Sequence, residues 1–268
     1  MAISVWQRRI RRAEDLADQH PPVAELLRFY IEIARFHESV HQNLCSGKDR
    51  NHRHLPGDSL PRPSDWPELA PQFRPFLSLI ESCGPASLSH VARELQGSAE
   101  ESRSQLLDNV WSATNSAPSH PQEFLAGAFL QPYAEWLRAS VAVSLPGYNG
   151  PLCPFCNRRP GLGVLRQQGD GASRSLVCAF CLAEWNFRRL VCPACGEEND
   201  RHLPVFGSSD FDCVRLDCCE TCKTYTKTVD LTRNGLAEPV VDEIASAALD
   251  LWAQEHGYSK LRPNLIGL

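Results

Sequence analysis

Four Cys-x-x-Cys pairs, CPFC at Cys153, CAFC at Cys178, CPAC at Cys192 and CETC at Cys219, constrain this chain more than any other feature. Each pair offers a metal two thiolates from one tight turn, and two such turns complete a tetrahedral site. The pairs fall into a repeat. Both first pairs open Cys-Pro-x-Cys and lie 39 residues apart, and the second pairs, each preceded four residues earlier by Arg174 or Arg215, lie 41 apart. A tandem duplication follows, each copy reading as turn, strand, loop, strand, turn.

Within the copies, 21 residues separate Cys156 from Cys178 and 23 separate Cys195 from Cys219, a span that a ribbon hairpin absorbs. The repeat predicts one site from Cys153, Cys156, Cys178 and Cys181 and another from Cys192, Cys195, Cys219 and Cys222. Interleaved sites, or one metal shared by the pairs at 178 and 192, are the alternatives; neither keeps one site per duplicated unit. Cys213 and Cys218 are spare. Cys218 abuts Cys219 and competes with it as a ligand, but the two-residue gap to Cys222 favours Cys219. A thioredoxin-type dithiol needs one such pair at a helix start in a βαβ setting, which is missing here. Four thiolates suit zinc and rubredoxin-type iron alike and close the coordination sphere to substrate. Zinc would staple a small core, whereas iron could also pass an electron.

The other two cysteines, Cys45 and Cys83, lie in the first 150 residues, and this part reads as helical. Apolar residues recur at Val23, Leu26, Leu27, Tyr30, Ile31 and Ala34, one face of a helix whose first turn accommodates Pro21 and Pro22. Further helices are expected over 73–82, 86–96 and 100–112. Another begins near Pro121, with Phe124, Leu125, Ala128, Phe129, Trp136 and Leu137 on one stripe and a kink at Pro132. The Pro-rich stretch 50–71 reads as a long loop. Its His52 and His54, with His37 and His41 before it, have no Cys or carboxylate at ligand spacing and read as ordinary histidines. Past the repeat, Pro239 to Gly257 bracket a helix whose stripe, Val241, Ile244, Ala245, Ala248, Leu251 and Trp252, is expected to dock on the rest of the molecule.

No window reaches eighteen unbroken apolar residues, so no membrane span is expected. Arg8, Arg9, Arg11 and Arg12 are followed by acidic residues and not by an apolar signal core, which points to the cytoplasm, where thiols stay reduced and ligate metal. Residues 151–235 hold 11 Lys/Arg against 10 Asp/Glu, and the whole chain carries a net charge of −5. A ribbon that binds nucleic acid by neutralising phosphates would show a marked basic excess, so that alternative is disfavoured and no nucleic-acid partner is expected. No phosphate loop, nucleophile elbow or metalloprotease motif is present, and the chain is not expected to be an enzyme.

The run RSLVCAFCLAEWNFRRLVCPACGE, followed by RLDCCETCKTYTKTVDL, resembles the formate dehydrogenase accessory protein FdhE family. All four Cys pairs match, as do Cys-x-x-Cys-x-x-Glu-Trp through Glu184 and Trp185 and Cys-x-x-Cys-x-x-Tyr-x-Lys-x-x-Asp through Tyr225, Lys227 and Asp230. The resemblance is close over 150–257 and holds in general plan for the helical half. It implies a cytoplasmic maturation factor that serves molybdenum or tungsten formate dehydrogenase, binds its catalytic subunit and carries iron in some members. The expected architecture is a mostly α N-terminal domain (1–147), two rubredoxin-like or zinc-ribbon four-cysteine modules (151–190 and 191–235) and a C-terminal helix and tail (236–268). Arg174, Trp185, Arg188, Tyr225 and Lys227 are candidate partner contacts, although Trp185 and Tyr225 also suit a role covering the hairpins.

Overall fold

The structure is a computed structural model and describes residues 4–46, 69–113, 120–140 and 147–267. Six α-helices precede the repeat among these residues: α1 (Val5–Gln19), α2 (Ala24–Ser46), α3 (Phe73–Cys83), α4 (Ala86–Gly97), α5 (Glu100–Ser112) and α6 (Pro121–Ser140). Five of them match the expected helices, while α1 was not anticipated. It is nevertheless well specified, because Ser4 and Gln7 form a reciprocal capping box and Trp6, Arg9, Ala13, Leu16 and Ala17 are buried along it. In α6, residues 128–137 are buried without a break, the mark of a helix enclosed on all sides. Phe36, Phe73 and Phe76 pack on its Phe129 with ring centroids 5.0–6.4 Å apart. Truncating Phe129, fully buried, to Ala would cost about 3–5 kcal/mol. His52 and His54 lie outside the described residues. His37 is fully buried, its Nε2 2.9 Å from the carbonyl oxygen of Ala128.

The repeat forms one sheet. Its strands are β1 (Pro160–Gln168), β2 (Gly171–Cys178), β3 (Glu184–Asn186), β4 (Val205–Gly207), β5 (Val214–Cys218) and β6 (Thr224–Asp230). They lie in the order β3-β2-β1-β6-β5-β4, so each copy is a three-stranded antiparallel meander, one strand more than the sequence reading assigned. The copies join where β1 meets β6 in parallel, Gly163 opposite Thr228. A Cβ at Gly163 would sit 2.3 Å from Thr228 Oγ1, so glycine is what permits this approach.

The C-terminal segment ties the halves together. The single helix expected there is two, α7 (Pro239–Ala245) and α8 (Ala247–Glu255), broken at Ser246. Helix α7 packs on α1, α2, β1 and β6, and α8 packs on β5. A short β7 (Ser259–Lys260) extends the sheet beside β6. Arg12 of α1 grips Asp242 of α7, and Arg9 reaches the buried Glu135 of α6. One continuous apolar core runs from α1–α6 through Phe155, Phe180, Trp185 and Phe187 of the first copy to Val241 and Ile244, whereas the second copy has its own smaller core with Leu249 and Ala253. Leu251, expected to be buried, is 59% exposed; the break at Ser246 rotates α8 out of the stripe drawn for an unbroken helix.

Candidate metal centres

All four Cys pairs fold into the same knuckle. The first cysteine of each pair donates its amide to the carbonyl five residues on: Cys153 to Arg158 (2.7 Å), Cys178 to Ala183 (2.9 Å), Cys192 to Glu197 (2.9 Å) and Cys219 to Thr224 (2.9 Å). Closing that turn puts the residue after the second cysteine in the left-handed region: Asn157 (φ 56°), Leu182 (φ 53°), Gly196 (φ 80°) and Lys223 (φ 54°). Only Gly adopts it without cost and Asn tolerates it better than most, so Leu182 and Lys223 are held there by the knuckle. The turn also aims amides at sulfur, with the Phe155, Phe180 and Ala194 N–H groups each 3.4 Å from the first sulfur of their own pair. Such donors stabilise thiolate over thiol.

The knuckles meet in two groups, Cys153, Cys156, Cys178 and Cys181 in one and Cys192, Cys195, Cys219 and Cys222 in the other, with all sulfurs of a group within 4.8 Å of one another. In the first, Cys153 lies 3.5 Å from Cys181 and Cys156 lies 3.4 Å from Cys178; in the second, the corresponding distances are 3.7 Å (Cys192 to Cys222) and 3.6 Å (Cys195 to Cys219). A tetrahedron with metal–sulfur bonds of about 2.3 Å has edges of about 3.8 Å, so each group fits one zinc or iron ion. Burial raises the Cys156 and Cys181 thiols well above the ordinary value, and a bound cation would take the place of their protons.

The two centres differ in their surroundings, and the difference starts in the sequence. The third residue of each first-module pair is Phe, and Phe155 and Phe180 are buried in the large core together with all four cysteines. Phe180 also meets Trp111 of α5 edge-on, its ring centroid 5.8 Å away. The equivalent positions of the second module are Ala194 and Thr221, half-buried and exposed, and there Cys195 is exposed and Cys222 half-buried. A polar stitch covers part of this second centre: Glu197 accepts from Thr221 and lies 3.2 Å from His202 Nδ1. Of the spare cysteines, Cys218 is buried in the smaller core and its thiol is raised to about 12 by burial. Neighbouring residues of a strand face opposite ways, so Cys219 points to the metal group and Cys218 away from it. Cys213 is likewise buried, 3.9 Å from Asp242.

Of the five candidate partner contacts, the fold buries four and leaves Arg188 at the surface, paired with Glu198. Arg174 spans the joint between modules, donating to the Val191 carbonyl (3.2 Å) and pairing with Asp217 (3.1 Å). Trp185 Nε1 donates to the Gly150 carbonyl at 2.9 Å. Tyr225 donates to Asp250 at 2.7 Å, and Lys227 lies between Glu243 (3.0 Å) and Asp250 (2.5 Å), with Lys260 pairing with the same two carboxylates. These four contacts are internal. The Tyr-x-Lys spacing places both side chains on one face of β6, toward α7 and α8. Two arginines of α1, Arg8 and Arg12, read from the sequence only against a targeting signal, pair with Glu238 and Asp242 and hold the helical half to the C-terminal segment, while Arg9 stays within the helical half on Glu135; the four-residue spacing of Arg8 and Arg12 was the available signal.

Two family models match the chain in succession, "FdhE, central domain" over residues 152–189 and "FdhE, C-terminal domain" over 190–266. Among curated proteins, the Protein FdhE homolog of Aquifex aeolicus is 27% identical, covering 96% of this chain and 94% of its own. The Protein FdhE homolog of Pseudomonas putida is 28% identical, covering 99% of this chain and 88% of its own. The crystal structure of the FdhE protein from Pseudomonas aeruginosa shares the fold, with a TM-score of 0.66 and 22% identity over 98% of this chain and 95% of that one.

Proposed function

The chain belongs to the FdhE family, and from that premise we propose that it is a cytoplasmic accessory factor that binds the catalytic subunit of a molybdenum- or tungsten-containing formate dehydrogenase and is needed for its activity. The observation that carries this reading is the pair of closed four-sulfur groups, one in each duplicated module. Four thiolates leave a metal no position for substrate, so the centres suit shaping, sensing or electron passage and the chain itself is no catalyst. Either zinc or iron fits the sulfur geometry. No helix among the described residues is long and apolar enough to cross a membrane.

A clean deletion tests the proposal. Cells without the gene should lose formate oxidation while still making the catalytic polypeptide, and the two proteins should co-purify from wild-type cells. Normal formate dehydrogenase activity in a deletion strain with no second copy of the gene would defeat the reading. Loading the purified factor with zinc or with iron then separates roles, since zinc keeps tetrahedral geometry but cannot change oxidation state. Rescue of extracts by both forms assigns the modules to docking; rescue by the iron form alone assigns them to electron transfer.

A further inference from the structure

The two sulfur groups share knuckles and spacing but not their environment. Around the first group the residues inside the Cys pairs are Phe155 and Phe180, and every ligand is at most 2% exposed. A cavity lies between the end of α5, α6 and the CAFC turn, but its lining from the first module is Arg158, Ala179 and Phe180 and none of the four cysteines, so a displacing donor would still have to pass the buried Phe180, which close packing permits only by local unfolding. Around the second group the same positions hold Ala194 and Thr221, and Cys195 stands at the surface. Beyond it a Cβ at Gly196 would meet no atom within 4 Å, so the outer side of this knuckle is open space. The cover that exists, Glu197 with Thr221 and His202, is polar and lies at the surface, where water competes with it.

We infer that the second centre is an exchange site, at which a small external thiol displaces Cys195 from the metal and the ion can enter or leave, while the first centre is sealed. The step balances without an oxidant. With a metal held by Cys192, Cys195, Cys219 and Cys222, its bond to the Cys195 sulfur would give way to one to the external sulfur, and the proton of the incoming thiol would pass to the released Cys195. Displacement starts at Cys195 because it is the exposed ligand; Cys222, the next most open, holds its sulfur 3.0 Å from Thr224 Oγ1.

This inference rests on both groups binding metal, so the experiment first establishes the load. The intact protein, reconstituted with zinc, should hold two ions; fewer than two overturns the metal reading and this inference with it. With two bound, a chromogenic zinc chelator should withdraw one ion at least about tenfold faster than the other, and millimolar glutathione should accelerate the fast phase alone. Cys195→Ser should abolish the fast phase and leave the slow one. As a check that needs no variant, N-ethylmaleimide applied to the zinc-loaded wild-type protein should modify Cys195 before any first-centre cysteine, as mapped by peptide mass spectrometry. A single rate for both ions, a fast phase that survives Cys195→Ser, or first-centre cysteines labelled as early as Cys195 would overturn the assignment. None of these readings involves formate dehydrogenase, so failure here and failure of the proposed function are separable.

Discussion

At the scale of the residue, the backbone turn after each second cysteine does as much as the sulfur itself. Gly196 sits at φ 80°, where a β-branched side chain is strained by about 1–2 kcal/mol. Gly196→Val should therefore weaken metal binding at the second centre by about tenfold and leave the first unchanged, as competition with a chelator of known affinity would report; equal affinities would refute the strain argument. A second residue sets an acid limit. Burial is the main force that lowers His37 from 6.5 to about 3, with Arg9 adding to it, although the contact with the Ala128 carbonyl opposes the shift. The unfolded chain binds this proton below pH 6.5 and the folded chain does not. Stability from this group is thus complete above about 6.5 and lost as pH falls toward 3, with a slope of up to about 1.4 kcal/mol per pH unit. Glu243, held at about 2 against burial by Lys227 and Lys260, is also depressed, and its contribution fades from about 4.5 downward. Urea unfolding between pH 6.5 and 4.5 should show a shallower loss for His37→Gln, whose amide can still donate to Ala128; an unchanged slope would count against a buried neutral imidazole. The gathering of eight cysteines into two groups of four sulfurs was legible in the sequence because spacing and repetition specify it. His37 was not, since burial depends on α6 closing over it from 91 residues further along the chain.

At the scale of the element, the C-terminal helices show where periodicity stops being informative. The stripe from Val241 to Trp252 suggests one helix, yet the chain breaks at Ser246, whose hydroxyl donates to the Glu243 carbonyl while Lys227 Nζ donates to the same oxygen. A lysine reaching in from β6 thus takes part in ending a helix, and a single-segment pattern cannot anticipate it. The β1–β6 pairing was illegible for a related reason: it joins Gly163 to Thr228 across both modules, whereas turn and strand signals are local. Helices α2 to α6 were legible because their faces repeat within a few residues. The buried group of Lys227, Lys260, Glu243 and Asp250 balances two charges against two. Lys227→Met leaves two buried carboxylates with one cation, at a cost of about 3–5 kcal/mol. Adding Asp250→Asn should recover part of that loss in equilibrium unfolding. Additive losses in the double variant would show that the charges do not interact as the contacts indicate.

At the scale of the whole molecule, the two repeated modules carry sulfur groups of unequal structural reach. The first module is continuous with the helical half: Arg158 donates to the carbonyls of Trp111 and Ala113 at the end of α5, and Gln131 of α6 donates to Ala179 inside the CAFC pair. Its knuckles are part of the bundle's packing, so metal loss there should propagate into helices that carry no ligand. The second module closes on its own small core with α8, and a defect at its outer ligand should stay local. Cys178→Ser and Cys195→Ser each remove one sulfur from one centre and each should lower the metal content by about one ion per chain. Their consequences should diverge in hydrogen exchange. Cys178→Ser should reduce amide protection across 125–137 of α6, because the wall formed by Phe180 and Ala179 loosens; Cys195→Ser should leave those amides as protected as in the parent protein. Equal deprotection of α6 in both variants would mean that the sheet transmits the defect through β1 and β6, and the first centre would lose its special place in holding the halves together.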